Sequence, residues 1–133
     1  MKKQNIFESF KNALQGFKTA LISDRNLKLH VLFTLIVFSI GLFFKITFEE
    51  WCLIVIVIGL VFASELINTA IETLCNTLHP EINPGIKKTK DIAASAVVFS
   101  ALSALIVGAI IFVPYLKNYF FQITSWNTKN PLK

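Results

Sequence analysis

The sequence predicts an all-α membrane protein: an N-terminal amphipathic surface helix followed by three transmembrane helices, in one domain spanning 1–133. Three observations predict it. Hydrophobic residues make up 54% of the 133 positions and charged residues only 16%, more apolar surface than a small soluble core can hide. Three long runs are almost free of charge, and the first segment instead shows helical spacing with one apolar face.

Residues 5–23 open the chain. Ile6, Phe7, Phe10, Ala13, Leu14, Phe17, Ala20 and Leu21 fall at helical spacing, with Lys2, Lys3, Lys11 and Lys18 on or near the polar side. Such a helix lies in the headgroup layer. Ser23-Asp24-Arg25-Asn26 interrupts it with capping residues. A first span over about 29–47 follows, with Lys28 and Lys45 able to snorkel at its ends. Lys45 to Glu50 forms a brief turn, and Trp51 stands where an interfacial aromatic belongs. The second span covers about 51–74. His79 to Gly85 reads as a loop because two prolines and a glycine oppose helix there. The third span covers about 92–115; its small residues, from Ala93 to Gly108, permit close helix approach. Pro114 and Tyr115 mark its far end, and the tail from Lys117 reads as interfacial and then frayed.

The second span is the unusual one. It begins apolar all round and then acquires Glu65, Asn68, Glu72 and Asn76. At 100° per residue these point to about 0°, 300°, 340° and 20°, a single narrow stripe. An ionisable group at membrane depth is a functional-site candidate by default.

Charge placement gives the orientation. Six Lys/Arg residues lie in the N-terminal segment through Lys28, and Lys87, Lys88 and Lys90 precede the third span. The first-to-second turn sets Lys45 against Glu49 and Glu50. Positive-inside therefore places the N-terminus and the stripe in the cytoplasm and the C-terminus outside. The net charge of +5 follows from these flanks, and no nucleic-acid partner is expected. MKKQNIFESFKNALQGF lacks the apolar centre of a signal peptide.

Cys52 and Cys75 sit at opposite ends of the second span, too far apart to bridge. Cys75 and His79 have i,i+4 spacing but no further ligands, a poor zinc site. Gly85-Ile86-Lys87-Lys88-Thr89 lacks the first glycine of a phosphate-binding loop. No G-x-S-x-G, H-E-x-x-H or paired C-x-x-C occurs.

Asp24, Glu65, Glu72 and Asp91, with Lys90, gather toward one face of the membrane. Carboxylates with a lysine suit phosphoryl transfer: Mg²⁺ takes a few hard oxygens and leaves positions for phosphates. The lysine neutralises phosphate charge, and a metal-free carboxylate orients or deprotonates a hydroxyl. Spacing alone equally permits Glu65 and Glu72 to serve as ion-pair partners of Lys18, Arg25 or Lys90 between subunits. A small polar-striped transporter and a non-catalytic membrane subunit are the further alternatives.

Glu65-Leu66-Ile67-Asn68-Thr69-Ala70-Ile71-Glu72, followed by Lys90-Asp91-Ile92-Ala93-Ala94, resembles the bacterial diacylglycerol kinase family, which includes undecaprenol kinases. Ala13 to Lys18 and Asp24-Arg25-Asn26 match as well, and the resemblance covers about residues 7–112. It implies a homotrimeric bundle with active sites between subunits, ATP as co-substrate, Mg²⁺ as cofactor and direct transfer of the γ-phosphate to a membrane lipid alcohol. Carried onto this chain it makes Glu65 the catalytic base with Asn68 beside it, and Asp24 and Glu72 the metal ligands. Asn12, Asp24, Glu72, Asn76, Glu81, Asn83, Lys90 and Asp91 fall at nucleotide-contacting positions, and Glu65 and Lys18 toward the lipid substrate. Three positions depart from the pattern: Asp24 stands where many members carry Glu, Asn76 where they carry Asp, and Asn12 differs in type. The Asp24–His30 stretch looks more like the undecaprenol-kinase branch.

Overall fold

The computed structural model describes residues 5–78 and 83–129, all in four helices and short connections, with no strand among the described residues. Helix α1 covers Ile6–Ser23, α2 Arg25–Phe44, α3 Phe48–Leu78 and α4 Pro84–Lys129. The last three are long and apolar enough to cross a membrane. Most of their large apolar side chains face outward, as expected where lipid is the solvent.

Asp24 ends α1 and starts α2. Its extended backbone breaks the helix, and its Oδ1 accepts the Asn26 backbone N–H at 2.7 Å, the N-cap arrangement. The Lys28 ammonium reaches back to the Ile22 carbonyl at 2.8 Å, a cation satisfying an orphan acceptor at the end of α1. The first span therefore begins at Arg25, earlier than apolar content alone indicates. Its far end closes at Lys45 in the left-handed region, φ 53°, with the Ile46 N–H bonded to the Gly41 carbonyl at 3.2 Å. Gly41 has no Cβ to spare: one placed there would lie 2.7 Å from Trp51 Cη2.

Thr47 and Glu50 open α3 as a reciprocal capping box, the Thr47 N–H donating to Glu50 Oε2 at 2.7 Å and the Glu50 N–H to Thr47 Oγ1 at 3.3 Å. Tyr115 of α4 donates to the same Glu50 Oε2 at 2.8 Å. Ile46, Ile54 and Ile111 form the buried core at this end, flanked by Val37, Phe44, Trp51 and Phe112. Halfway along, Ser64 and Ser100 share a hydrogen bond of 2.7 Å between α3 and α4. These two helices make the principal packing of the chain, while α2 and α1 lean more lightly on α3. Phe17 meets Phe62 with ring centroids 6.3 Å apart.

Two proline readings change. Pro84 and Gly85 belong to α4, not to a loop. Asn83 caps it by accepting the Gly85 N–H at 2.8 Å on Oδ1, and proline at the first helical position loses no hydrogen bond. Pro114 lies inside α4, which continues to Lys129. One missing N–H does not end a helix held on both sides by packing, here through Ile111 and Phe112 before it and Tyr115 and Tyr119 after it. The remainder of the expected loop, residues 79–82, lies outside the described residues.

Candidate active site

The stripe on α3 is real, and its members have different fates. Glu65 is fully buried, 0% exposed, and neither carboxylate oxygen has a hydrogen-bond partner. Glu72, two turns along, is half exposed and forms an ion pair with Lys90 of α4 at 2.8 Å. Lys90 also donates to the Asn76 amide oxygen at 3.2 Å. Among the described residues of one chain, therefore, Glu72 pairs with Lys90 while Glu65 has neither a hydrogen-bond partner nor a salt bridge.

Asp24 faces α3. Its Oδ2 accepts from the Thr69 hydroxyl, so the α1–α2 junction is tied to α3 one turn beyond Glu65. Partial burial pushes the Asp24 carboxyl upward, but the Thr69 hydroxyl and the Asn26 and Leu27 amides outweigh it and hold the group below the ordinary carboxylate range. It remains an anion at neutral pH. Leu27, fully buried, seals the junction.

Asp24, His30 and Glu72 lie close enough to act on Glu65 electrostatically, and the Asn26 side chain stands near without completing a well-formed hydrogen bond. Two like charges, Asp24 and Glu72, beside a buried carboxylate with two orphaned oxygens make an arrangement a proton donor or a cation would relieve. Among the described residues no three His, Cys, Asp or Glu side chains converge as a ready metal site. The carboxylate oxygens of Asp24 and Glu72 have the hard-donor chemistry that Mg²⁺ takes.

The remaining predicted residues spread over the same end. Asn12 and Lys18 are exposed on α1, and Asn68 is half-buried beside Glu65 on the stripe. Asn83 is occupied as the α4 cap, and Asp91 pairs with Lys87 at 2.8 Å rather than with Lys90. Glu81 lies outside the described residues, as does His79; both cysteines are free.

Two residues were missed by sequence reasoning. Thr69 lies within the matched motif, yet only the fold shows that it meets Asp24. His30 lines an apolar groove of about 540 Å³ with Thr34, Val37, Ile54, Val61 and Phe62, among others from α2, α3 and α4. Val61 is one turn from Glu65, so the groove ends beside the buried carboxylate.

The family model for "Prokaryotic diacylglycerol kinase" matches residues 11–112. This chain belongs to that family. The undecaprenol kinase of Bacillus subtilis is 34% identical over 111 residues, covering 84% of this chain and 90% of that protein. The diacylglycerol kinase of Helicobacter pylori is 29% identical over 119 residues, 90% of each chain. That of Synechocystis is 29% identical over 113 residues, 84% of this chain and 65% of the other. A membrane lipid kinase thus owns the stripe, and the match takes in all of it together with Asp24, Thr69, Lys90 and Asp91. The stretch after residue 112 lies beyond it.

Proposed function

We propose that this lipid kinase transfers the γ-phosphate of ATP directly to the hydroxyl of undecaprenol or a similar long-chain lipid alcohol, using Mg²⁺, in a homotrimer. The observation that carries the reading is Glu65: a buried carboxylate on a membrane helix, with both oxygens free, at the end of an apolar groove. The hydrocarbon chain lies in the groove and brings the hydroxyl to Glu65. Glu65 takes the hydroxyl proton as the oxygen attacks the γ-phosphorus, and ADP leaves with the electrons of the broken P–O bond. Asn68 orients the hydroxyl. Diacylglycerol is the second acceptor considered; the identity to an undecaprenol kinase favours the first.

Asp24 and Glu72 would hold Mg²⁺, which when bound neutralises phosphate charge. Asp24 suits this because Thr69 keeps it ionised. Lys90 lies where it can pass from Glu72 to a phosphate oxygen, and Asn76, Asn12, Glu81, Asn83 and Asp91 would contact the rest of the nucleotide. That no three ligating side chains converge among the described residues of one chain supports a site completed between subunits. Helix α1, with Lys18 on its polar side, lies on the cytoplasmic surface near the lipid headgroup, and the C-terminus is outside.

Purified protein in mixed micelles with Mg-ATP and separate lipid alcohols tests the reading. Phosphate incorporation into undecaprenol above diacylglycerol is the expected result. Incorporation into neither overturns it.

A further inference from the structure

Beyond the matched region, α4 continues far past the helices it packs on. Its outer end draws level with α3 at Tyr115, bonded to Glu50, and with α2 at Tyr119, whose ring lies 5.8 Å from Phe43 and 6.1 Å from Phe44. Ten more residues follow to Lys129, about 15 Å of helix. The charge-free run Ile92–Leu116 is already about 37 Å long and uses up the ~30 Å hydrocarbon core. Residues from Lys117 onward therefore stand outside the acyl chains if α4 runs straight.

Yet that overhang is not built for water. Phe120 is 63% exposed, Phe121 75% and Trp126 64%. At 100° per residue Leu116, Tyr119, Phe120, Ile123 and Trp126 fall within an arc of about 120°. Lys117, Asn118, Gln122, Thr124 and Ser125 occupy the other side, where Phe121 is the exception. Tyr and Trp among aliphatic residues, opposite Lys and amides, is the composition of helices that lie at the lipid–water boundary. The apolar arc also continues the face by which Phe112 and Tyr119 already pack at the membrane's far side.

We propose that the end of α4 past Tyr119, residues 120–129, leans into the headgroup layer of the leaflet opposite the active site as an interfacial extension. Its occupant is the bilayer itself, with Phe120, Ile123 and Trp126 in the acyl boundary. The chain thus grips both leaflets, the second grip being independent of the kinase reading.

The test uses full-length protein with Cys52 and Cys75 replaced by alanine, reconstituted in phosphatidylcholine–phosphatidylglycerol vesicles. Single cysteines from Leu116 to Trp126 carry a nitroxide whose collisions with oxygen and with a water-soluble nickel chelate are measured. Labels at Leu116, Phe120 and Ile123 should show a several-fold higher oxygen-to-nickel ratio than those at Lys117, Asn118 and Gln122, repeating with the helical period. A steady fall in that ratio with residue number means an upright helix and overturns the proposal. Low accessibility of the apolar face to both reagents means another copy covers it, and overturns it equally. Lipid phosphorylation measured on the same samples reports the kinase reading separately.

Discussion

Replacing Glu65 by methionine should make the protein more stable and inactive at once. The side chain is fully buried and both its oxygens lack partners. An unsatisfied buried polar atom costs about 1–3 kcal/mol, and a buried charge without a partner costs more unless it is neutralised. Methionine fills a similar volume, favours helix and leaves nothing unsatisfied. Removing two orphaned oxygens should therefore raise unfolding free energy by roughly 2 kcal/mol, allowing for partial relief by nearby Asn26. Loss of a general base typically slows a reaction about 10²–10⁴-fold. Thermal unfolding in detergent and phosphate incorporation into lipid alcohol measure the two effects. A variant less stable than the parent by 1 kcal/mol or more would show that a neighbouring subunit satisfies the carboxylate, and the argument from orphaned oxygens would fail. Glu65→Gln should abolish transfer while nucleotide binding persists.

Thr69→Val removes the donor to Asp24 and should cost about 1 kcal/mol at neutral pH. A carboxylate held below its ordinary range contributes stability above its unfolded pKa and loses it as pH falls through the folded one; with Thr69 gone, the acid loss in unfolding scans should be smaller and complete at a higher pH. Gly41→Ala places a methyl against Trp51 and should destabilise by about 1–3 kcal/mol, read by chemical or thermal unfolding. Lys90→Met breaks a partly exposed pair worth at most about 1 kcal/mol, so melting should barely move while KM for ATP rises. Tyr115→Phe removes the bond to Glu50 and should cost about 0.5–1.5 kcal/mol without changing KM for either substrate.

Periodicity carried most of the fold. Three charge-poor runs and one amphipathic segment correspond to four helices, and the spacing of Glu65, Asn68, Glu72 and Asn76 fixes them on one face whatever the tertiary arrangement. Hydropathy located the spans but not their ends. Arg25 and Pro84 are helical because of caps at Asp24 and Asn83, which an apolar count does not register. The stripe likewise does not say which carboxylate is taken. That depends on the hairpin register that brings Lys90 to Glu72 and leaves Glu65 alone. Thr69 and His30 escaped for the same reason: a threonine facing its own helix carbonyl, or a lone histidine in an apolar run, signals nothing until a second helix arrives beside it.

The serine pair fastens α3 to α4 at mid-depth, away from water, and at the far end the part-buried Glu50–Tyr115 bond fastens them beside the Ile46, Ile54 and Ile111 core. The remaining clasp, Lys90 against Glu72 and Asn76, is wet. The pair thus behaves as tweezers with a fixed fulcrum and free tips. Any spreading that admits a nucleotide should be confined to the last few turns around Lys90, and amide exchange there should run far ahead of exchange near Ile54 and Ile111.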